Sequence, residues 1–314
     1  MADLALDRMA IEEAGPDPER LAAAIHKQLP LSSGPVPVEA IARALDITGI
    51  RYEELKSFEG ALIAPPERGS GTILVNDVGY PPRHRFTVAH ELGHFLNPTH
   101  EPFDEGAAFI CTADDLRTWR NGSLKGNRHR RQEEEANLFG IELLAPYSRV
   151  RRFLSGILDL AKPIRIADAL GLSQETAARR YVDLRDQPCA LVFTEAGIIR
   201  DSCLTRGFPA LAFSSGERVG LCVVASGLSE LEKADPRDWL RRPKGEDLVI
   251  QTFAQRDGFA TTLLSLGTGV LVPPEPSGGA GPQRMERPEL YSVQSDGQHP
   301  APRRRLVRPR RLAD

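Results

Sequence analysis

The chain is poor in cysteine and in aromatic residues, and it has no long apolar run. Four cysteines, at positions 111, 189, 203 and 222, show no close spacing of a structural metal site or a disulfide framework. We read them as reduced, mostly buried thiols. No stretch approaches the roughly 18 apolar residues needed to span a bilayer, so no membrane span is expected. Met1-Ala-Asp-Leu lacks the basic start and apolar core of a secretory leader, which points to a cytoplasmic protein. A net charge of −3 excludes a nucleic-acid binder that works by bulk charge. With 41% hydrophobic and 26% charged residues the composition is that of an ordinary soluble protein, and 314 residues leave room for more than one domain.

Against this background His90-Glu91-Leu92-Gly93-His94 stands out. Arg83 to Leu96 carries Phe86, Ala89, Leu92, Phe95 and Leu96 at spacings of three and four, which predicts a helix that Asn97-Pro98 stops. Histidines four apart on a helix share one face and can reach one metal ion. The glutamate between them is the usual general base of a zinc protease. Gly93 costs about 1 kcal/mol of helix propensity relative to alanine, which makes sense if a second backbone or the metal cluster packs against it.

A catalytic zinc site wants three protein ligands and an open position. The best third ligand lies in Glu133-Glu134-Glu135-Ala136-Asn137, at the start of a predicted helix that Pro146 ends. Glu133 and Asn137 are four apart, so a ligand carboxylate and an orienting amide share a face. That spacing favours Glu133; Glu134 is the alternative. The other glutamates read as a solvated acidic first turn.

The pair H-E-L-G-H and E-x-E-A-N-x-F-G-x-x-L-L-A-P resembles the ImmA/IrrE family of metallopeptidases, over roughly residues 20–150. The resemblance implies His90, His94 and Glu133 as metal ligands and Glu91 as base. It also implies a cytoplasmic protease that cuts an XRE-type helix-turn-helix repressor and so relieves repression in a stress or mobile-element response. Family members more often carry alanine where this chain has Gly140, and methionine where it has Ala145. The expected metal is Zn2+, with Mn2+ as the alternative that a carboxylate-containing site also accepts.

Other residues weigh less. His100 has the third-ligand spacing of the HExxHxxGxxH class, but Asn97 stands where that class has glycine. Substituting His100 or Glu134 is therefore expected to leave metal binding intact. His84 and Tyr147 are candidates for touching substrate, with surface and packing roles as the default. His129 is placed in a basic loop and His26 on a helix surface. Pro18–Leu29 and Val36–Leu45 read as short helices, and runs after Gly60 and Gly71 read as a hairpin. Gly71–Val75 is the candidate edge strand for pairing with substrate backbone. Residues 104–131 read as an exposed polar insertion.

The predicted fold class is α+β. A zincin-like metallopeptidase domain covers 1–147 and a helix-turn-helix-like segment 148–187. A β-rich or α+β domain covers 188–273, and a disordered basic tail 274–314. Arg149–Leu160 reads as a short helix. Gly171 supplies the turn of the helix pair, Ser173 caps its second helix, and Arg179 and Arg180 are candidates for phosphate contact. Strands are expected at 190–193, 197–200, 219–224, 247–253 and 260–266, with Trp239 packed on their sheet. The leading function is thus a metal-dependent endopeptidase whose partner is an XRE-type repressor. The alternative is a metal-binding regulator that acts by binding a partner or DNA without proteolysis; DNA binding is the lesser expectation.

Overall fold

The computed structural model describes residues 4–30, 34–78, 81–102, 108–113, 115–117, 128–219, 226–255, 258–267, 290–292 and 301–303. The chain divides into two compact units, Met1–Arg152 with Ile166–Thr176, and Phe153–Arg165 with Ala177–Asp314. Its architecture is mixed α and β, with a separate sheet in each unit.

The first unit opens with helices α1 (Arg8–Glu12), α2 (Pro18–Gln28) and α3 (Val38–Ala44). Asp7 and Asp17 cap the first two by accepting from the amides of Ala10 and Arg20. Strands β1 (Ile47–Glu53), β2 (Gly60–Ile63) and β3 (Gly71–Asn76) follow, then helix α4 (Pro81–Leu96), strand β4 (Ala108–Cys111), and helices α5 (Arg128–Leu144) and α6 (Tyr147–Val150). The sheet order is β1-β3-β2-β4. β3 runs parallel to β1 and antiparallel to β2, and β2 is antiparallel to β4.

That order corrects one expectation. β3, which carries Gly71–Val75, lies inside the sheet with both sides paired, so it offers no free edge. The edge on the β2 side is β4, which pairs Gly60 with Cys111 and Leu62 with Phe109. β4 falls in the stretch read as a polar loop, and four residues are too few to show a period against their flanks. β1 was not foreseen either: after Ile47 its residues are half-buried or exposed, without alternation. His129 is on α5 and not in a loop, since that helix starts by Arg128. His26 is not a surface group: its Nε2 meets the Leu143 carbonyl at 2.9 Å, where α5 ends.

Helix α4 is buried continuously from Thr87 to Leu96, packed by β2 and β3 on one side and by α5 on the other. Its last turn leaves carbonyls without helical donors. The Arg68 guanidinium donates to the carbonyls of His94 (2.8 Å), Phe95, Asn97 and His100. The Asn97 side chain accepts from the amide and hydroxyl of Thr99, fixing the turn that ends the helix. Gly93 faces α5 at close range: a Cβ there would lie 3.0 Å from Phe139 Cδ1 and 3.3 Å from Ala136 Cα. Gly140, on the facing helix, has more room, with Phe86, His90 and Ala89 atoms at 3.5–3.7 Å.

Helices α7 (Ala161–Leu170) and α8 (Gln174–Asp183) come next. Gly171 joins them at φ +63°, and the Ser173 hydroxyl accepts from the Thr176 amide at 3.0 Å. The helix expected over Arg149–Leu160 is instead the end of α6, a 3-10 turn over Arg151–Phe153 and irregular chain.

Strands β5 (Cys189–Glu195), β6 (Ile198–Leu204), β7 (Gly227–Leu228) and β8 (Glu232–Ala234), helix α9 (Pro236–Trp239), and strands β9 (Leu248–Ala254) and β10 (Phe259–Leu266) belong to the second unit. The sheet order is β6-β5-β10-β9-β7, with β8 also on β9. Trp239 packs in its core, with Phe213 edge-on at 5.6 Å. Beyond Val219 the strand expected over 219–224 lies outside the described residues, as does most of 274–314. Within that tail Leu290–Ser292 (β11) pairs with Ala301–Arg303 (β12), where no structure was expected. Among the described residues no helix is long and apolar enough to cross a membrane.

The two glycines of the α4–α5 contact make a paired prediction. Gly140→Ala fits the available space and should raise stability by about 0.5–1 kcal/mol through helix propensity. At Gly93 the backbone of Ala136 must move, and overpacking of about 1–3 kcal/mol outweighs that gain. Thermal unfolding should shift up for Gly140→Ala and down for Gly93→Ala; equal shifts would contradict the packing.

Candidate metal centre

The helical spacing of His90 and His94 places their rings 4.8 Å apart, with the two Nε2 atoms 3.1 Å apart. α5 brings Glu133 across from them. Its Oε2 lies 3.1 Å from His90 Nε2 and its Oε1 lies 3.4 Å from His94 Nε2. All three side chains are buried. The three consecutive glutamates separate by face. Glu134 pairs with Arg130 at 3.1 Å, and Glu135 reaches His100 at 2.9 Å.

Each histidine is held by its other nitrogen. His90 Nδ1 lies 2.9 Å from Asn137 Oδ1. The Asn137 amide nitrogen donates to the Asp115 carbonyl at 2.7 Å, so its oxygen faces the ring. His90 therefore donates from Nδ1. For His94 the chain of partners is longer. His100 Nε2 donates to the Glu135 carboxylate, which leaves His100 Nδ1 as an acceptor. His94 Nδ1 donates to it at 2.9 Å. Both tautomers present an Nε2 lone pair to the cluster, and Phe109 stacks on the His94 ring at 4.9 Å. His100 thus stands behind His94, away from the atoms that gather at Nε2.

Two facing lone pairs and a carboxylate at these distances repel unless a cation or a proton sits among them. Without a cation, a proton settles on His90. Burial opposes this, but the Glu133 hydrogen bond and charge, the Glu91 charge and Asn137 outweigh burial and raise its pKa. Burial drives His94 down to about 3 despite Glu133, so it stays neutral. Glu133 lies well below the usual carboxylate range. Burial pushes it up, but hydrogen bonds and charge from His90 and His94 overcome that. The donor set therefore fits a divalent metal: two imidazoles and an ionised carboxylate, each with an orienting partner.

Glu91 is not one of the clustered donors. It is fully buried, and among the described residues neither of its oxygens has a hydrogen-bond partner in good geometry. Burial raises its pKa to about 8; the His90 charge and a weak thiol interaction with Cys111 act against this. The backbone of β2 lies directly over it. A Cβ on Gly60 would be 2.5 Å from Glu91 Oε1 and 2.5 Å from Thr87 Cγ2, so only glycine leaves room for the carboxylate there.

One member of the cluster was missed by sequence. Cys111, at the end of β4, has its Sγ 3.7 Å from His94 Nε2. The donor atoms of His90, His94, Cys111 and Glu133 all lie within 4.8 Å of one another. No spacing signal marks a single cysteine that arrives on a strand, and burial, the largest influence, raises its thiol pKa well above the usual value. His129 also touches the site: its Nδ1 is 3.5 Å from Glu133 Oε1 and its Nε2 is 3.4 Å from Asp115 Oδ1. Of the other candidates, His84 packs by the Tyr52 ring at 5.4 Å and Tyr147 is exposed; neither is among the four clustered donors.

Two outcomes are expected. A cation must displace the proton on His90, so below the raised His90 pKa metal affinity should fall more steeply, by about a further tenfold per pH unit. Titration of the metal-free protein between pH 5 and pH 8 would read this, and a flat profile would refute it. His100→Ala should weaken metal binding by about 10- to 100-fold by freeing the His94 ring, while Glu134→Ala should leave it unchanged. This revises the sequence-based expectation for His100.

Residues 46–181 match the family model Peptidase_M78, described as an IrrE N-terminal-like domain. No curated protein matches the chain. A solved structure described as a Mycobacterium tuberculosis transcriptional regulator is similar over 83% of this chain and 95% of its own, with a TM-score of 0.52 and 15% identity. At that identity the likeness concerns the fold alone.

Proposed function

From a chain whose residues 46–181 match the model of an IrrE N-terminal-like domain, we propose a metal-dependent endopeptidase that makes a site-specific cut in an XRE-type transcriptional repressor. The observation that carries this reading is Glu91, a fully buried carboxylate that among the described residues has no hydrogen-bond partner in good geometry, next in sequence to the first of two imidazoles that face an ionised glutamate. A buried acid without a structural partner is costly to keep, and such groups concentrate where proton transfer is needed.

His90, His94 and Glu133 would hold the metal, Zn2+ or Mn2+. When bound it supplies Lewis acidity toward a peptide carbonyl and water, and positive charge that favours ionised Glu91. The remaining roles fall to the chain. Glu91 takes a proton from the attacking water and returns it to the leaving nitrogen. Gly60 keeps space above the carboxylate, and β2 covers it from bulk water. Asn137 and His100 hold the two imidazoles in the tautomers that face inward. β4, at the sheet edge and with Ile110 outward-facing and exposed, is the strand on which an extended substrate segment would pair. This replaces β3 in that role.

The second reading is a metal-binding regulator that acts without cleavage. The description of the structural neighbour as a transcriptional regulator speaks for it. The DNA-binding form of that reading loses its phosphate candidates. Arg179 is buried, pairs with Asp201 at 2.6 Å and covers the Phe193 ring; Arg180 is buried and pairs with Asp183 at 3.5 Å.

The metal-loaded protein mixed with the XRE-type repressor encoded nearest its gene should give a single cut by intact mass. Glu91→Gln should keep the metal and lose at least about 100-fold in cleavage rate. Cleavage that survives this substitution would remove Glu91 from the chemistry, and a stable uncut complex would favour the second reading.

A further inference from the structure

We infer that Cys111 is a fourth protein ligand to the metal, so that the resting centre is closed. This rests on the metal-site reading above. At ordinary bond lengths around a tetrahedral ion, two imidazole nitrogens stand about 3.3 Å apart, and an imidazole nitrogen and a thiolate sulfur about 3.6 Å apart. The distances here are 3.1 Å from His90 Nε2 to His94 Nε2, 3.1 Å and 3.4 Å from these nitrogens to Glu133, and 3.7 Å from Cys111 Sγ to His94 Nε2. These separations are near tetrahedral spacing, and all four donor groups lie within 4.8 Å of one another. Two observations beyond the cysteine itself point to a ligand among them, the facing nitrogen lone pairs and the Glu133 carboxylate directed at both; the buried Glu91 carboxylate, which among the described residues has no hydrogen-bond partner in good geometry, adds to them.

The sulfur is held in place by the sheet. Cys111 is fully buried and pairs with Gly60 across β2 and β4, and its carbonyl accepts from the Glu59 amide at 2.9 Å. On coordination its S–H bond breaks as the metal–sulfur bond forms, and the proton passes to bulk water; no oxidant or reductant is needed. A centre with three nitrogen or oxygen ligands and one sulfur has no open position. A closed site of this kind is structural in character, and a catalytic one keeps a place for water. Water or a carbonyl gains access only when the sulfur leaves. The strand that holds the sulfur is the edge strand β4, so displacement of β4 is what opens the centre. The peptidase reading then describes an enzyme that rests in a latent form.

The test loads the full-length chain with Co2+ as probe and records bound metal and the absorption spectrum. Wild type should bind one equivalent and show an intense near-ultraviolet sulfur-to-cobalt charge-transfer band. Cys111→Ser and Cys111→Ala should still bind one equivalent, lose the band, and hold zinc about 10- to 100-fold more weakly. His94→Ala should lose the band as well, which assigns it to this centre and not to another cysteine. Thermal unfolding of both cysteine variants checks that they fold; should one fail, the other and the wild-type spectrum still decide. One equivalent bound by wild type with no charge-transfer band overturns the fourth ligand and leaves the three-ligand peptidase standing. No bound metal in wild type overturns both.

Discussion

The close approach of α4 and α5 at Gly93 is the constraint on which the rest of the first unit depends. Phe139 and the backbone of Ala136 fill the space that any side chain at position 93 would occupy. Only at this separation can the short carboxylate arm of Glu133 reach both Nε2 atoms one helix away. The helix-propensity cost of the glycine is small, about 1 kcal/mol. In return the contact converts two separate motifs, 43 residues apart at His90 and Glu133, into one cluster.

Around that cluster the polar groups form two chains. Asp115 fixes Asn137, which fixes His90; Glu135 fixes His100, which fixes His94. Each chain sets a tautomer, and each tautomer exposes a lone pair inward. The arrangement is costly without a cation, because like groups face each other in a buried place. It becomes favourable once positive charge is supplied, by a proton on His90 or by a metal. Glu91 differs by having no such chain. Its isolation under Gly60 leaves its charge state to be decided by whatever stands at the neighbouring centre.

Much of this was legible in the sequence because it rests on local periodicity. The helix that carries His90 and His94, its stop at Asn97-Pro98, and the register of Glu133 with Asn137 all follow from the 3.6-residue repeat and from proline. Gly93 announced a close neighbour, although not which one. The hairpin of β2 and β3 was readable from its apolar runs and turns. What could not be read are contacts made through short or irregular pieces. β4 is four residues long and shows no period, so Cys111 looked like an ordinary buried thiol. His100 was weighed as a rival ligand from its spacing, and the fold places it behind His94. The edge role assigned to Gly71–Val75 failed for a related reason: strand order depends on β1 and β4, which leave little trace in composition.

The sequence by itself determined which candidate side chains share a helix face, because a helix fixes the relation between neighbours three and four apart whatever surrounds it. The tertiary structure alone decided what meets across elements: that β4 and not β3 forms the edge by the site, that Cys111 joins the two histidines and Glu133, that His100 stands behind His94, and that Arg179 and Arg180 are buried in ion pairs. Those relations depend on how separate faces bury against one another, and burial is a property of the packed chain that no short stretch of residues carries.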